Sequence, residues 1–242
     1  MTCRERELRN VRDAGEARIR ARPHPPSSPG SRGLSALPFD GERDSYLYVP
    51  RRLAPETPAP LLVVLHGAGG HAHQGMGLLR ELGQARGLIL LTPASNAYTW
   101  DVILEEFGPD VVLIDRAMRH VFDRHPVDAQ RLAIGGFSDG ASYALSVGLT
   151  NGDLFTHVIA FSPGFAAPAE RSDHPRIFVS HGADDQVLPI DACSRRIVPA
   201  LRRSGLHVEY FEFDGGHSVP PAIAATALDW FLPEPVDGTL QP

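Results

Sequence analysis

From residue 60 onward, the hydrophobic pattern repeatedly alternates between buried strands and amphipathic helices. Leu61–Leu65 and Leu88–Leu91 are uninterrupted apolar runs, as expected of strands covered on both faces. Asp110–Arg124 instead has apolar residues at helical spacing, and Pro126 follows it. Further predicted strands are Arg131–Gly135, His157–Phe161, Arg176–Ser180 and His207–Phe213, and further predicted helices are Gly140–Leu149, Ala192–Arg203 and Pro221–Phe231. This order predicts an α/β fold with a mostly parallel central sheet and helices on both faces.

The N-terminal region has a different pattern. Residues 1–14 are highly charged and are predicted to form a disordered leader. Ala17–Ala21 alternates apolar residues with arginines, which indicates a half-exposed strand. Ser45–Val49 predicts a second strand, and the two are expected to pair as an antiparallel edge of the sheet. Residues 15–242 are therefore predicted to form a single domain.

Composition excludes several classes of protein. All 23 basic residues are arginine, and without lysine there is no Walker-type phosphate loop, Schiff base or Ser-Lys dyad. The net charge of −6 argues against a nucleic-acid partner. The apolar runs are too short to span a membrane. No organic cofactor is expected, and the oligomeric state stays open.

The first 22 residues contain seven arginines and no apolar segment typical of a secretory signal, so a cytoplasmic location is predicted. The two cysteines, Cys3 and Cys193, cannot build a disulfide framework or a four-cysteine metal site. A bridge between them is not expected, because Cys3 lies in the polar leader.

Gly136–Gly140 has the sequence Gly-Phe-Ser-Asp-Gly, between a predicted strand and a predicted helix. A nucleophile elbow requires this context, because its tight turn leaves no room for Cβ atoms at Gly136 and Gly140. The turn would present the Ser138 hydroxyl at the N-terminus of the helix. The alternative is a glycine-rich loop capped by a serine.

A serine nucleophile needs a base, and the base needs an orienting acid. In folds with a nucleophile elbow, the chain order is serine, acid, histidine. After Ser138, one predicted strand runs into Asp184 and Asp185, and a later one runs into His217. Both positions follow the carboxyl ends of strands, where ligands bind in open α/β sheets. At this point either aspartate could be the acid.

Four motifs together resemble the phospholipase/carboxylesterase family of small α/β-hydrolases. They are Leu65–Gly69, Gly136–Gly140, His181–Pro189 and Gly216–His217. They are also similar to the related esterase branch that includes polyhydroxyalkanoate depolymerases and feruloyl esterases. The resemblance covers about residues 44–232 and implies an α/β-hydrolase fold. It also implies that Asp185 is the triad acid, with Asp184 as its rival, and that Asp214 lies in the wrong loop.

The oxyanion hole of such an enzyme needs two backbone N–H groups. One comes from the residue after the nucleophile, Asp139, and the resemblance assigns the other to Ala68. Gly67 and Gly69 keep the Ala68 loop narrow. The Asp139 carboxylate has two interpretations: a favourable charge at a helix start, or a charge beside the acyl pocket that disfavours anionic substrates.

Several other residues are weaker candidates. His66 and Trp100 are possible pocket residues, although core packing explains Trp100 equally well. His66 and His181 each precede a glycine at a strand end, where hydrogen bonding to a loop is the alternative to catalysis. His71 and His73 form a His-x-His pair, but without a third ligand cluster no metal site is expected.

The sequence therefore predicts a serine esterase that acts on small-molecule esters through Ser138, His217 and Asp185. Residues 162–175 are too few for a helical lid, which predicts an open site for short acyl or aryl esters. Phospholipid, thioester, polyester and peptide cleavage stay open as alternatives. The non-enzyme alternative is a hydrolase-like binding protein that does not turn over substrate.

Overall fold

The computed structural model describes residues 15–39, 43–104 and 106–232. Eight strands of these residues form one sheet in the order β1-β2-β4-β3-β5-β6-β7-β8. The strands are β1 Gly33–Ala36, β2 Tyr46–Val49, β3 Ala59–Leu65, β4 Ile89–Thr92, β5 Val127–Phe137, β6 His157–Phe161, β7 Arg176–Gly182 and β8 Val208–Phe213. Strand β2 is antiparallel to both β1 and β4, and all other neighbouring strands are parallel. The predicted mostly parallel sheet with an antiparallel N-terminal edge is confirmed.

The prediction of a strand at Ala17–Ala21 is wrong. Its apolar side chains are buried as the alternation indicated, but its backbone pairs with side chains rather than with a strand. Ile19 N donates to Asn151 Oδ1 at 2.8 Å, and Ala21 N donates to Asp115 Oδ1 at 2.6 Å. Strand β1 takes the edge position instead. The predicted leader, residues 1–14, lies outside the described residues, as does Cys3.

Helices cover both faces of the sheet, and two of them were not predicted. They are α1 Ala72–Arg86, α2 Asp101–Leu104, α3 Pro109–Phe122, α4 Asp139–Thr150, α5 Ser194–Arg203 and α6 Pro221–Phe231. The helices absent from the prediction are the short α2 and α1, which ends at Gly87 with φ of 66°. Across the described part of the chain, no helix combines the length and apolar character needed to cross a membrane.

The parallel strands place the motif loops along one edge of the sheet. The loops after β3, β5, β7 and β8 all leave the carboxyl ends of parallel strands of the same sheet. Apolar clusters on the two faces bury all of β3 and residues 132–136 of β5. The candidate residues therefore sit on loops carried by buried strands of the core.

Candidate active site

The turn at Ser138 packs too closely for side chains at its two glycines. A Cβ on Gly136 would lie 2.6 Å from Gly140 O, and one on Gly140 would lie 2.3 Å from Leu65 O. Ser138 itself has φ of 58° and ψ of −121°, a backbone conformation that non-glycine residues rarely adopt. This geometry has the features of a nucleophile elbow between β5 and α4.

The structure brings Ser138, His217 and Asp185 into one hydrogen-bonded line. Ser138 Oγ lies 2.9 Å from His217 Nε2, and His217 Nδ1 lies 2.6 Å from Asp185 Oδ2. Because Nδ1 faces a carboxylate, it carries the proton in the neutral ring, and Nε2 is left to accept from the serine hydroxyl. The phenyl ring of Phe137 contacts His217 at a centroid distance of 4.6 Å and so limits its movement.

Asp185 and Asp184 occupy very different environments. Asp185 is 3% exposed, and its Oδ1 accepts hydrogen bonds from Val187 N and Leu188 N. Burial acts to raise the pKa of Asp185, but the Leu188 N–H, His217 and the Val187 N–H outweigh it and hold that pKa below its usual value. Asp184 is exposed, and its carboxylate is not part of the line of contacts from Ser138 through His217 to Asp185. Asp214 is exposed too.

The two predicted oxyanion donors lie on either side of Ser138. Asp139 opens α4, and Ala68 follows Gly67, where a Cβ would lie 3.3 Å from Ser138 Cβ. Within the described part of the chain, neither the Ala68 N–H nor the Asp139 N–H donates to a protein acceptor. Both N–H groups of the predicted oxyanion hole are therefore left unused by the described part of the chain.

A segment that the sequence did not reveal connects the two donor loops. Tyr98 O accepts from Gly69 N at 2.9 Å, and Thr99 Oγ1 donates to Asp139 Oδ2 at 2.6 Å. Tyr98 and Thr99 thus bridge the loop after β3 and the start of α4. The Tyr98 ring is 71% exposed beside Gly69.

His66 and Trp100 support the loop after β3 through contacts with its backbone. Trp100 is fully buried, stacks on Tyr143 and donates to His66 O at 2.8 Å, so it packs in the core rather than lining a pocket. His66 accepts from Ser95 N at its Nε2, and its Nδ1 contacts Gly67 O. Burial lowers the pKa of His66 to about 4, so the ring is neutral.

His66 and Gly67 also border a small cavity of about 220 Å³ beside the elbow. Its walls are mostly apolar, and they include Leu78, Leu79, Phe137, Phe161 and Val219.

The remaining histidines of the sequence analysis lie apart from the serine. The His73 ring stacks against Tyr46, and His71 N donates to Gln74 Oε1 at the start of α1. No group of three or more metal-ligating side chains occurs among the residues that the structure describes. His181 is buried behind Asp185, with Nδ1 2.7 Å from Ser194 Oγ.

Three hydroxyl side chains on α4 fix the segment at the position where a lid would be inserted. Each donates to the carbonyl four residues earlier, and each accepts from a backbone N–H of that segment. The acceptor–donor pairs are Ser142 with Gly164 N, Ser146 with Ala167 N, and Thr150 with Ala169 N. Residues 162–175 contain no helix and are bound to the helix that carries the elbow.

The sheet order and the elbow define the architecture of an α/β-hydrolase. A sequence model described as Phospholipase/Carboxylesterase matches residues 111–230. Feruloyl esterase B of Thermothelomyces thermophilus is 29% identical over 137 residues, which cover 52% of this chain and 46% of that protein. Probable feruloyl esterase C of Aspergillus oryzae is 26% identical and covers 74% of this chain and 78% of that protein.

Solved structures agree on the fold. The S-formylglutathione hydrolase of Staphylococcus aureus superposes with a TM-score of 0.68 at 13% identity, covering 84% of this chain and all of that one. Esterase PE8 superposes with a TM-score of 0.62 at 21% identity, covering 82% and 97%. The chain has the α/β-hydrolase fold and is similar to the phospholipase/carboxylesterase family and to two feruloyl esterases. It spans less than half the length of feruloyl esterase B.

Proposed function

We propose that this chain hydrolyses carboxylic esters through an acyl-enzyme, with Ser138 as nucleophile, His217 as general base and Asp185 as the orienting acid. The observation that carries the proposal is the line of contacts from Ser138 Oγ through His217 to Asp185, at 2.9 and 2.6 Å. Its position on a strained elbow, beside two free backbone donors, supports the same function.

Each step uses a group already in place. His217 takes the hydroxyl proton as Ser138 Oγ attacks the ester carbonyl, and the oxyanion accepts from the N–H groups of Ala68 and Asp139. His217 then gives the proton to the departing alcohol, which leaves an acyl group on Ser138. A water molecule, deprotonated by His217, releases the acid and restores the serine. Asp185 stabilises the imidazolium of His217 during both acylation and deacylation.

Short acyl or aryl esters are the proposed substrate class. The described residues 162–175 form no helical cap over the site. Relatives named as feruloyl and acetylxylan esterases support an ester of modest acyl size. Phospholipids, thioesters and polyesters are the competing substrates. A cytoplasmic location stays a prediction from the sequence.

A panel of p-nitrophenyl esters, with acyl chains of two to sixteen carbons, tests the function beside a thioester, a phospholipid and a polyester film. We expect the shortest esters to be cleaved fastest and Ser138→Ala to lower kcat by about 10⁴–10⁶. Ser172→Ala removes a half-buried serine whose hydroxyl donates to Asp153, and it serves as the control. Turnover that survives in Ser138→Ala would overturn the proposal, and binding of esters without turnover would indicate a binding protein.

A further inference from the structure

A second histidine lies on the far side of Asp185 from His217. His181 Nε2 is 3.2 Å from Asp185 Oδ2, the same oxygen that lies 2.6 Å from His217 Nδ1. The side chains of His181 and Asp185 are both fully buried. One carboxylate oxygen therefore lies between two imidazole rings, and the ring of His217 is the one that reaches Ser138.

The neighbours of His181 determine its tautomer. Its Nε2 also lies 2.8 Å from Leu188 O, so a carbonyl and a carboxylate, both acceptors, face this nitrogen. Burial lowers the pKa of His181, which leaves a neutral ring with one proton. Because two acceptors face Nε2, the proton is placed there and is donated to Leu188 O at 2.8 Å, with Asp185 Oδ2 at 3.2 Å, while Ser194 Oγ donates to Nδ1 at 2.7 Å.

With His181 in this state, four N–H groups lie near the Asp185 carboxylate. Oδ1 accepts from Val187 N and Leu188 N, Oδ2 accepts from His217, and His181 Nε2 lies 3.2 Å from Oδ2. The two backbone donors fix Asp185 Oδ1. The position of Oδ2, which orients His217, depends on the rings of His217 and His181.

We propose that His181 is a positioning residue for the triad: as a neutral Nε2–H donor, it holds Asp185 Oδ2 toward His217 and limits how strongly that oxygen retains a proton on His217. The inference rests on the proposed function, because it assigns His181 a role in the same reaction. Ser194 holds the ring in the donating tautomer.

The other titratable groups around His181 come from β8 and the start of α5. Glu212 pairs with His181 across the two strands, and its carboxylate binds Arg195. Burial and the nearby Asp185 carboxylate raise the pKa of the Cys193 thiol, and Asp191 binds Arg195. Of these carboxylates, Asp185 is the one within hydrogen-bond distance of the ring.

Two substitutions separate a positioning role from simple packing. His181→Gln keeps a neutral N–H donor, whereas His181→Met fills a similar space without one. We expect His181→Met to lower kcat about tenfold, the effect of losing one hydrogen bond to a charged group. We also expect it to move the acidic limb of kcat/KM to higher pH, because Asp185 then holds the His217 proton more strongly. His181→Gln should stay within about threefold, with its acidic limb unmoved.

The experiment measures pH profiles with p-nitrophenyl acetate, melting temperatures, and the titration of the His217 imidazole by NMR in each protein. Ser194→Ala is a second variant, for which we expect a smaller shift in the same direction. An unmoved NMR titration in His181→Met, or equal losses in both His181 variants, would overturn the proposal. Because the NMR titration needs no substrate, failure of ester hydrolysis itself would be distinguishable from failure of this inference.

Discussion

Adjacent residues with the same side chain have different roles in the loop after β7. Asp185 is buried and bonded to His217, whereas Asp184 is exposed, and its backbone rather than its carboxylate makes the contacts with its neighbours. The one-residue difference decides which carboxylate contacts His217, since successive side chains in the turn point in different directions.

Asp185→Asn should therefore lower kcat by about 10⁴, because an amide in this position favours the wrong imidazole tautomer. Asp184→Asn is the matched control and should stay within a few-fold of wild type. Steady-state hydrolysis of p-nitrophenyl acetate by the two variants gives the comparison. A large loss in Asp184→Asn with little in Asp185→Asn would move the acid by one residue.

The Asp139 carboxylate offers a second prediction at this scale. Thr99 holds it at the start of α4, close to the proposed oxyanion site. If its charge acts on the site, Asp139→Gln should move the acidic limb of kcat/KM to lower pH, because the imidazolium of His217 loses a stabilising charge. The same change should improve turnover of esters with an anionic acyl part.

The alternative role, a charge at a helix start, gives a different result. Asp139→Gln would then lower stability slightly, by about 0.3–1 kcal/mol, and leave both the pH profile and the charge preference unchanged. Thr99→Val keeps the Asp139 carboxylate but removes the hydroxyl that holds it. This variant is the control for the position of the carboxylate. Profiles with one neutral and one anionic ester distinguish the two roles.

Local motifs made some of these residues predictable. Ser138 and His217 stand in short patterns whose chemistry is readable from neighbouring residues. Thr99 and Ser142 were not identified from the sequence, and His181 was only a weaker candidate, because their roles depend on partners brought together by the fold: Thr99 meets Asp139 from forty positions away. The position of Thr99 in the sequence, before the buried Trp100, does not predict its contact with Asp139.

Among the elements, the buried strands and the later helices were predictable from their apolar spacing. Helix α1 was missed because Gly75, Gly77 and Gly83 weaken its helical pattern. Packing explains Gly75: a Cβ there would lie 2.7 Å from Val64 Cγ1, so glycine lets α1 approach β3. The mistaken strand at Ala17–Ala21 has the alternation of a strand, but side chains of other elements satisfy its backbone.

The hydroxyl contacts of α4 yield a prediction about stability. Ser146→Ala leaves the Ala167 N–H without its acceptor and should lower the free energy of unfolding by about 1–3 kcal/mol. Ser204→Ala is the control, since its hydroxyl donates to Ala200 O in the same way at an exposed helix end. It should change stability by less than about 0.5 kcal/mol. Urea unfolding measures both, and equal losses would contradict the assignment.

For the whole molecule, buried histidines determine how stability depends on pH. Burial lowers the pKa of both His66 and His157 to about 4, with Arg176 adding to the effect at His157. Between the unfolded value of 6.5 and about 4, the unfolded chain binds protons that the folded protein does not. Stability should therefore fall as pH decreases through this range, by up to about 2.7 kcal/mol per pH unit for two groups.

Urea unfolding at several pH values from neutral down to about 4.5 measures this slope. His157→Gln removes one of these groups and should reduce the slope by up to about 1.4 kcal/mol per pH unit. A stability that does not change with pH in this range would show that these rings are protonated in the folded protein.

The central claim is that Ser138 becomes covalently attached to the acyl group. Treatment with a fluorophosphonate, followed by peptide mass spectrometry, tests it most directly, because the reagent reacts with a serine activated by its base. We expect one modified peptide, carrying the label on Ser138, and no labelling of Ser138→Ala. Label on another serine, or an unlabelled Ser138 in folded wild-type protein, would contradict it.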